Sequence, residues 1–221
     1  LERSQFNQIP PYPFDLTTLQ TAAYRSLRIQ PKDTLAIAQS LYLDGLISYP
    51  RTSSQILPSE IGYKKILSDV GKQEQYAALT KKIIALPQLK PNNGKKSDPA
   101  HPAIYPTGVS KKLEGREARI YDLIVRRFMA TFAGPATRET MTIFVDVNKE
   151  IFITKGTRTI NKGWHEFYGS HVKLEEIELP AVQKGDKVDV QYILMLDKET
   201  QPPKRYTPSS IIKELEKRNL G

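Results

Sequence analysis

The chain of 221 residues carries 33 Lys+Arg against 24 Asp+Glu, a net charge of +9 with a pI near 9.5, so its electrostatics favour a polyanionic partner through steering and counterion release. It has no cysteine, which excludes disulfides, thiolate zinc sites and a cysteine nucleophile. No apolar run approaches the roughly 20 residues that span a bilayer, and the polar, proline-rich start is unlike a signal peptide, so a soluble, intracellular protein with no membrane partner is expected.

Leu1 to Pro13, with Pro10, Pro11 and Pro13, reads as a linker or an extended strand edge. Asp15 or Thr17 caps a helix running to about Arg28, with Leu19, Ala22, Ala23 and Leu27 at helical spacing. Asp33 caps a second helix from Thr34 to Leu43; its apolar face is Leu35, Ala38, Leu41 and Tyr42, and Gly45 is its stop. Two short helices leading into a strand-like segment give a winged helix-turn-helix pattern.

The next stretch, Asp44 to Pro58, is the most informative. A short apolar extended piece, Leu46 and Ile47, precedes Tyr49, which stands beside a proline, an arginine and three consecutive hydroxyl residues. A phenol with a pKa of about 10 is a poor nucleophile unless a cation stabilises the phenolate or the leaving oxygen. In an extended segment Arg51 projects on the same side as Tyr49, and its fork of donors suits a phosphate. Pro50 biases Tyr49 toward β or polyproline geometry. The pattern reads as a tyrosine placed to attack a phosphodiester with an arginine holding the phosphate, or as a surface Tyr-Pro turn.

Further on, Pro58-Ser59 starts a helix to about Leu67, and Glu74 to Leu86 forms another. Residues 87 to 99 are a breaker-rich loop with three lysines, a solvated cluster or a contact to a nucleic-acid backbone. Asp98 to Thr107 holds three prolines in ten residues, which fixes an extended surface segment. Its His101 is either a donor to a phosphate and a proton source for a leaving oxygen, or a histidine packed in a polar turn. Gly115 to Phe132 is a strong helix with Ile120, Ile124, Phe128 and Phe132 on one stripe, and most of its arginines, Arg116, Arg119, Arg126 and Arg127, are assigned to a solvated face.

From Arg138 the period becomes two. Met141 to Val147 and Ile151 to Ile153 form a hairpin turned at Asn148-Lys149, and Val188, Val190, Tyr192 and Leu194 mark another strand after the turn at Lys184 to Asp186. Residues 138 to 200 therefore read as an antiparallel β region short of partner strands. Thr207-Pro208 caps a last helix, Ser209 to Arg218. The chain does not begin with Met and stops on a glycine after a helical pattern, so more chain is expected on both sides.

Together these pieces resemble a known family. Gly-Leu-Ile-Ser-Tyr49-Pro-Arg51-Thr is similar to the active-site signature of type IA DNA topoisomerases, and the Ser-Tyr-Pro-Arg-Thr-Ser-Ser-Gln form looks most like archaeal members of the topoisomerase III branch. Three further stretches are similar to family segments in the same order: Phe14 to Gln20, Ala100-His101-Pro-Ala-Ile-Tyr-Pro-Thr107, and Thr207 to Gly221. The resemblance implies an ATP-independent isomerase that cleaves one DNA strand through a 5′-phosphotyrosyl bond, passes a strand and religates. It implies Tyr49 as nucleophile, Arg51 on the scissile phosphate, His101 assisting cleavage, and DNA contacts by Arg51, Thr52, Ser53 and His101.

The fold it implies is α+β: a lead-in at 1–8, a helical winged-helix-like domain with the tyrosine at 9–136, a β arch that hinges a gate at 137–205, and the start of another helical domain at 206–221. The implied partners are single-stranded DNA and a TOPRIM domain of the same polypeptide, and the location is cytoplasmic and nucleoid-associated. Mg²⁺ is expected for the full-length enzyme, held by that acidic domain, because this chain has no Asp-x-Asp-x-Glu cluster; alone it is expected to be catalytically incomplete. Departures from the common pattern are Ser53 after Thr52, Pro102 and Tyr105. Two alternatives are a non-catalytic winged-helix module that binds nucleic acid and the topoisomerase part of a reverse gyrase.

Overall fold

The computed structural model describes residues 1–220. Its class is α+β, with seven α-helices and one three-stranded antiparallel sheet among the described residues. The lead-in is a strand: β1 (Glu2–Gln8) lies at a sheet edge against β2 (Ala136–Val147), in register from Glu2 opposite Thr142 to Gln8 opposite Ala136. β3 (Glu150–Asn161) returns along the other side of β2. The hairpin turns at the expected place. Asn148 and Lys149 both take positive φ, 53° and 75°, as a two-residue turn matching the strand twist requires, and Asp146 accepts the Lys149 N–H at 2.7 Å.

Five of the helices precede the hairpin and two follow it. α1 (Leu16–Leu27) starts on Asp15, whose carboxylate accepts the Thr18 N–H at 2.7 Å while Thr18 Oγ1 accepts the Asp15 N–H at 3.0 Å. This capping box fixes the helix start. α2 (Pro31–Leu43) begins three residues before the expected Thr34; Pro31 occupies its first turn, where a missing N–H costs nothing, and Asp33 sits inside that turn and is not the cap. The expected helix from Ser59 to Leu67 is broken by Gly62 at φ 76° into a 3₁₀ turn (Ser59–Ile61) and α3 (Tyr63–Val70). α4 (Glu74–Ile84) and α5 (Gly115–Ala130) follow as expected.

The core gathers Leu19, Leu41, Leu46, Ile47, Leu67, Tyr76 and the α5 stripe of Ile120, Ile124 and Phe128. Two α5 arginines depart from the solvated-face assignment. Arg126 pairs with Asp122 at 2.8 Å, and Arg127 lies between the rings of Phe14 and Tyr168, 4.1 and 4.7 Å from their centres. Arginine stems and planar heads pack on apolar surface, so a one-in-four charge pattern on a helix does not by itself mark water.

The β region ends at Asn161 and does not run to 200. Residues 165–171 turn into α6 (His165–Tyr168) and a 3₁₀ turn, with Phe167 and Tyr168 buried in the main core. Residues 187–196 form no strand: Val188, Val190, Tyr192 and Leu194 are half to three-quarters exposed, because no backbone ladder lies beside them among the described residues. Glu175 to Ile177 instead lie along β3, the Ile177 N–H bonding Thr157 O at 3.0 Å. Gly156 permits this approach, since a Cβ there would sit 2.5 Å from the Ile177 carbonyl oxygen. α7 (Pro208–Lys217) keeps the expected cap on Thr207 and lies against α1, with Glu216 paired to Lys96.

Candidate active site

α2 ends beside its stop, Gly45, at φ 72°. The chain then plunges: Leu46 and Ile47 are buried in the core and Pro50 is buried after them, so Tyr49 is presented between two anchored points. Alongside lies the proline-rich segment expected to line the surface. Here the structure differs, for Ala103, Ile104 and Pro106 are buried. Prolines lack only the donor, and the other groups of this segment find partners.

Those partners are on the tyrosine segment. Ser48 N–H donates to Tyr105 O at 2.9 Å, Tyr105 N–H donates to Ser48 Oγ at 3.0 Å, and Thr107 N–H donates to Leu46 O at 3.0 Å. Ala103 N–H reaches Ile56 O at 2.9 Å, and the Thr52 hydroxyl donates to His101 O at 3.2 Å while accepting the Ser54 N–H at 3.0 Å. Thr52 O in turn accepts the first N–H of α1, from Leu16, at 3.0 Å. The two segments and the start of α1 are thus one unit, although 49 residues separate Thr52 from His101.

This ladder brings three rings into a row. Tyr49 and His101 have centroids 4.6 Å apart at 47°, and Tyr42 meets Tyr49 at 5.3 Å and 72°. Tyr49 and His101 are half-buried, while Arg51 and Ser53 are exposed. Arg51 makes no side-chain hydrogen bond or ion pair among the described residues, so its five donors face water. Thr52 is only 4% exposed; its hydroxyl holds the two segments together.

Two contributors were missed in the sequence. Tyr42, assigned to the apolar face of α2, is 38% exposed and touches Tyr49 in place of the core; its signal was a polar-tipped aromatic in the last helical turn, just before the glycine stop. Asp98 accepts the N–H groups of Ala100 at 2.9 Å and His101 at 3.1 Å. Those bonds, Ala100's foremost, hold its carboxyl below the usual carboxylate range.

Among the described residues no three His, Asp or Glu side chains gather as a metal-ligand set. Around Tyr49 the donors are a phenol, an imidazole, a guanidinium and hydroxyls, with Asp98 as the carboxylate. Mg²⁺ takes carboxylate oxygens in octahedral geometry, so this group of residues does not fit it. What the arrangement offers is a fixed phenol, a free planar cation for a phosphate and an imidazole in contact with the phenol ring.

The family model described as DNA topoisomerase matches residues 1–221. DNA topoisomerase 1 of Pyrococcus horikoshii is 45% identical over 224 residues, covering all of this chain and 33% of that protein. DNA topoisomerase 1 of Methanocaldococcus jannaschii is 50% identical over 211 residues, covering 95% of this chain and 28% of its own length. The structure of full-length topoisomerase I from Thermotoga maritima superposes with a TM-score of 0.68 at 25% identity, over all of this chain and 37% of that one. The chain therefore spans about a third of the length of the proteins it matches, and over that span it belongs to the DNA topoisomerase family.

Proposed function

We propose that this chain supplies the tyrosine side of a type IA DNA topoisomerase active site. Tyr49 attacks the phosphorus of one strand: a bond forms between its phenolic oxygen and the 5′ phosphate, the bond to the 3′ oxygen breaks, the phenolic proton leaves and the 3′ oxygen takes one up. Religation is the reverse, so the phosphodiester energy is kept and no ATP is needed. Arg51 holds the scissile phosphate in its planar fork. His101, against the Tyr49 ring, assists proton movement and contacts the strand. Thr52 and Ser53 continue the DNA-contacting segment, with the buried Thr52 hydroxyl setting the spacing to His101.

The observation that carries this reading is the placement of Tyr49 between Tyr42 and His101 beside an unpaired Arg51. On this proposal, 9–136 is a winged-helix-like domain, 137–205 part of a β arch that hinges a gate, and 206–221 the start of a further helical domain. The partners are single-stranded DNA in the cytoplasm, at the nucleoid, and a TOPRIM domain of the same polypeptide, which holds Mg²⁺ and completes the catalytic set.

The test is covalent trapping with the full-length polypeptide, Mg²⁺ and single-stranded DNA labelled at its 3′ end, followed by denaturation. A labelled adduct that disappears in Tyr49→Phe is expected. An adduct that persists in that variant would overturn the nucleophile, and no adduct with the unaltered protein would favour a module that binds nucleic acid without cutting it.

A further inference from the structure

Away from Tyr49, α1 forms one wall of a cavity of about 380 Å³, at the small end of the range for ligand clefts. Thr18, Thr21, Ala22 and Arg25 line it from a single helical face, being spaced i, i+3, i+4 and i+7. The three small side chains leave the space, and the arginine charges it. Across from them stand Arg127, Lys173 and Lys213, and no carboxylate among the described residues lines the cavity.

Nearby acids do not cancel these charges. Asp15 is occupied by the Thr18 N–H at 2.7 Å, by Gln55 at 2.8 Å and by Lys96 at 3.7 Å, and Asp122 by Arg126 and His171, each at 2.8 Å. Arg127 gives one N–H to the Tyr168 hydroxyl at 3.0 Å and one to Tyr12 O at 3.5 Å, while its buried Nε has no partner. Lys213 has no ion pair among the described residues. Tyr12 and Trp164 add aromatic surface to the same cavity.

We propose that this cavity binds one nucleotide unit of a nucleic-acid strand, its phosphate among Arg25, Arg127 and Lys213 and its base against Tyr12 and Trp164. Cationic walls carry the phosphate attraction and aromatic faces accept any base, the combination that serves single strands. Gln55, four residues beyond Arg51, also lines the cavity, which places it along the segment that presents Tyr49. The identity of the ligand rests on the proposed function: a strand held at Tyr49 is the source favoured over a free mononucleotide.

The test uses the full-length polypeptide carrying Tyr49→Phe, so that binding is read without cleavage. A fluorescent single-stranded oligonucleotide is titrated at several salt concentrations with and without Lys213→Ala or Arg25→Ala, both exposed positions whose truncation leaves the core intact. Each variant is expected to lower the slope of log K against log salt, and the two substitutions together to lower it by about 0.7, the one phosphate contact. An oligonucleotide bearing 5-iodouracil is expected to crosslink to Tyr12 or Trp164, located by mass spectrometry. Unchanged slopes, or crosslinks confined to other residues, overturn the site. Competition by a mononucleotide that Lys213→Ala abolishes overturns the strand as source and gives the cavity to a free nucleotide. If slopes and crosslinks behave as expected while the protein with Tyr49 restored forms no adduct, the cavity stands and the transesterase reading falls.

Discussion

Two regions of this chain, a pair of proline-rich segments and a single alternating one, read as extended, and they ended up in opposite conditions. The proline-studded pair at 44–58 and 98–107 has little regular alternation, yet its backbone groups are cross-bonded and its apolar residues buried. Lys187 to Tyr192 alternate cleanly, yet the segment 187–196 has no ladder and Leu194 is 69% exposed. Alternation says which face seeks cover; a strand exists only where another backbone supplies donors and acceptors. The tyrosine is fixed because Leu46 and Ser48 before it and Thr52 after it are bonded to the second segment.

That contrast can be broken at several points. The largest effect is expected from Leu46→Ala, which opens a cavity under the tyrosine segment and costs about 2–5 kcal/mol in denaturant unfolding; a loss below about 1 kcal/mol would mean that the segment is not anchored. Asp15→Ala removes the α1 cap together with the partner of Gln55 and Lys96, with an expected loss of about 1–3 kcal/mol by the same measurement.

Smaller effects sharpen the picture at the rings. Tyr42→Ala in the full-length polypeptide is expected to slow single-turnover adduct formation about two- to tenfold, the worth of one aromatic pair, with strand affinity unchanged and Tyr42→Phe close to the unaltered rate. A weaker affinity at an unchanged rate would show that Tyr42 touches the strand and does not position Tyr49.

Asp98 gives a pH test. Its folded pKa is depressed, so its contribution is whole above the ordinary value near 4 and is lost as pH falls through the depressed one. The amide resonances of Ala100 and His101 should titrate with a midpoint below about 4; a midpoint at or above it would mean the bonds are not held in solution. Least of all should Leu194→Ala matter, with a change within about 0.5 kcal/mol; a larger loss would show that 187–196 is packed after all.

Much of this was readable in the residues. Capping residues, helix stripes and the Asn148-Lys149 turn report local physics, and α1, α4, α5, α7 and the hairpin followed them. The pairing of Ser48 with Tyr105 and of Thr52 with His101 was not readable, because two proline-rich stretches show no periodicity that names a partner. Tyr42 was misplaced for a related reason: helical spacing puts a side chain on a face but does not tell whether another segment, here Tyr49, waits at that face. Arg127 was misread because a charge on a helix was equated with water. The residues of the proposed chemistry stood out because Tyr49, Arg51 and His101 are odd in their local setting.

The sheet meets the helices at one end only. Gln8, Ala136 and Asn161, where one strand stops, the second starts and the third stops, are neighbours in register or within one residue of it. Around them Trp164 Nε1 donates to Gln8 O at 3.0 Å and Trp164 N–H to Gly134 O at 3.0 Å, and at Gly163 an added Cβ would stand 2.2 Å from the Pro135 oxygen. In mechanical terms this is a wrist with three tendons. Force applied at the hairpin tip passes down β2 and β3, and across the ladder into β1, and leaves the sheet where the three strands continue covalently into the helical part beyond Gln8, before Ala136 and beyond Asn161.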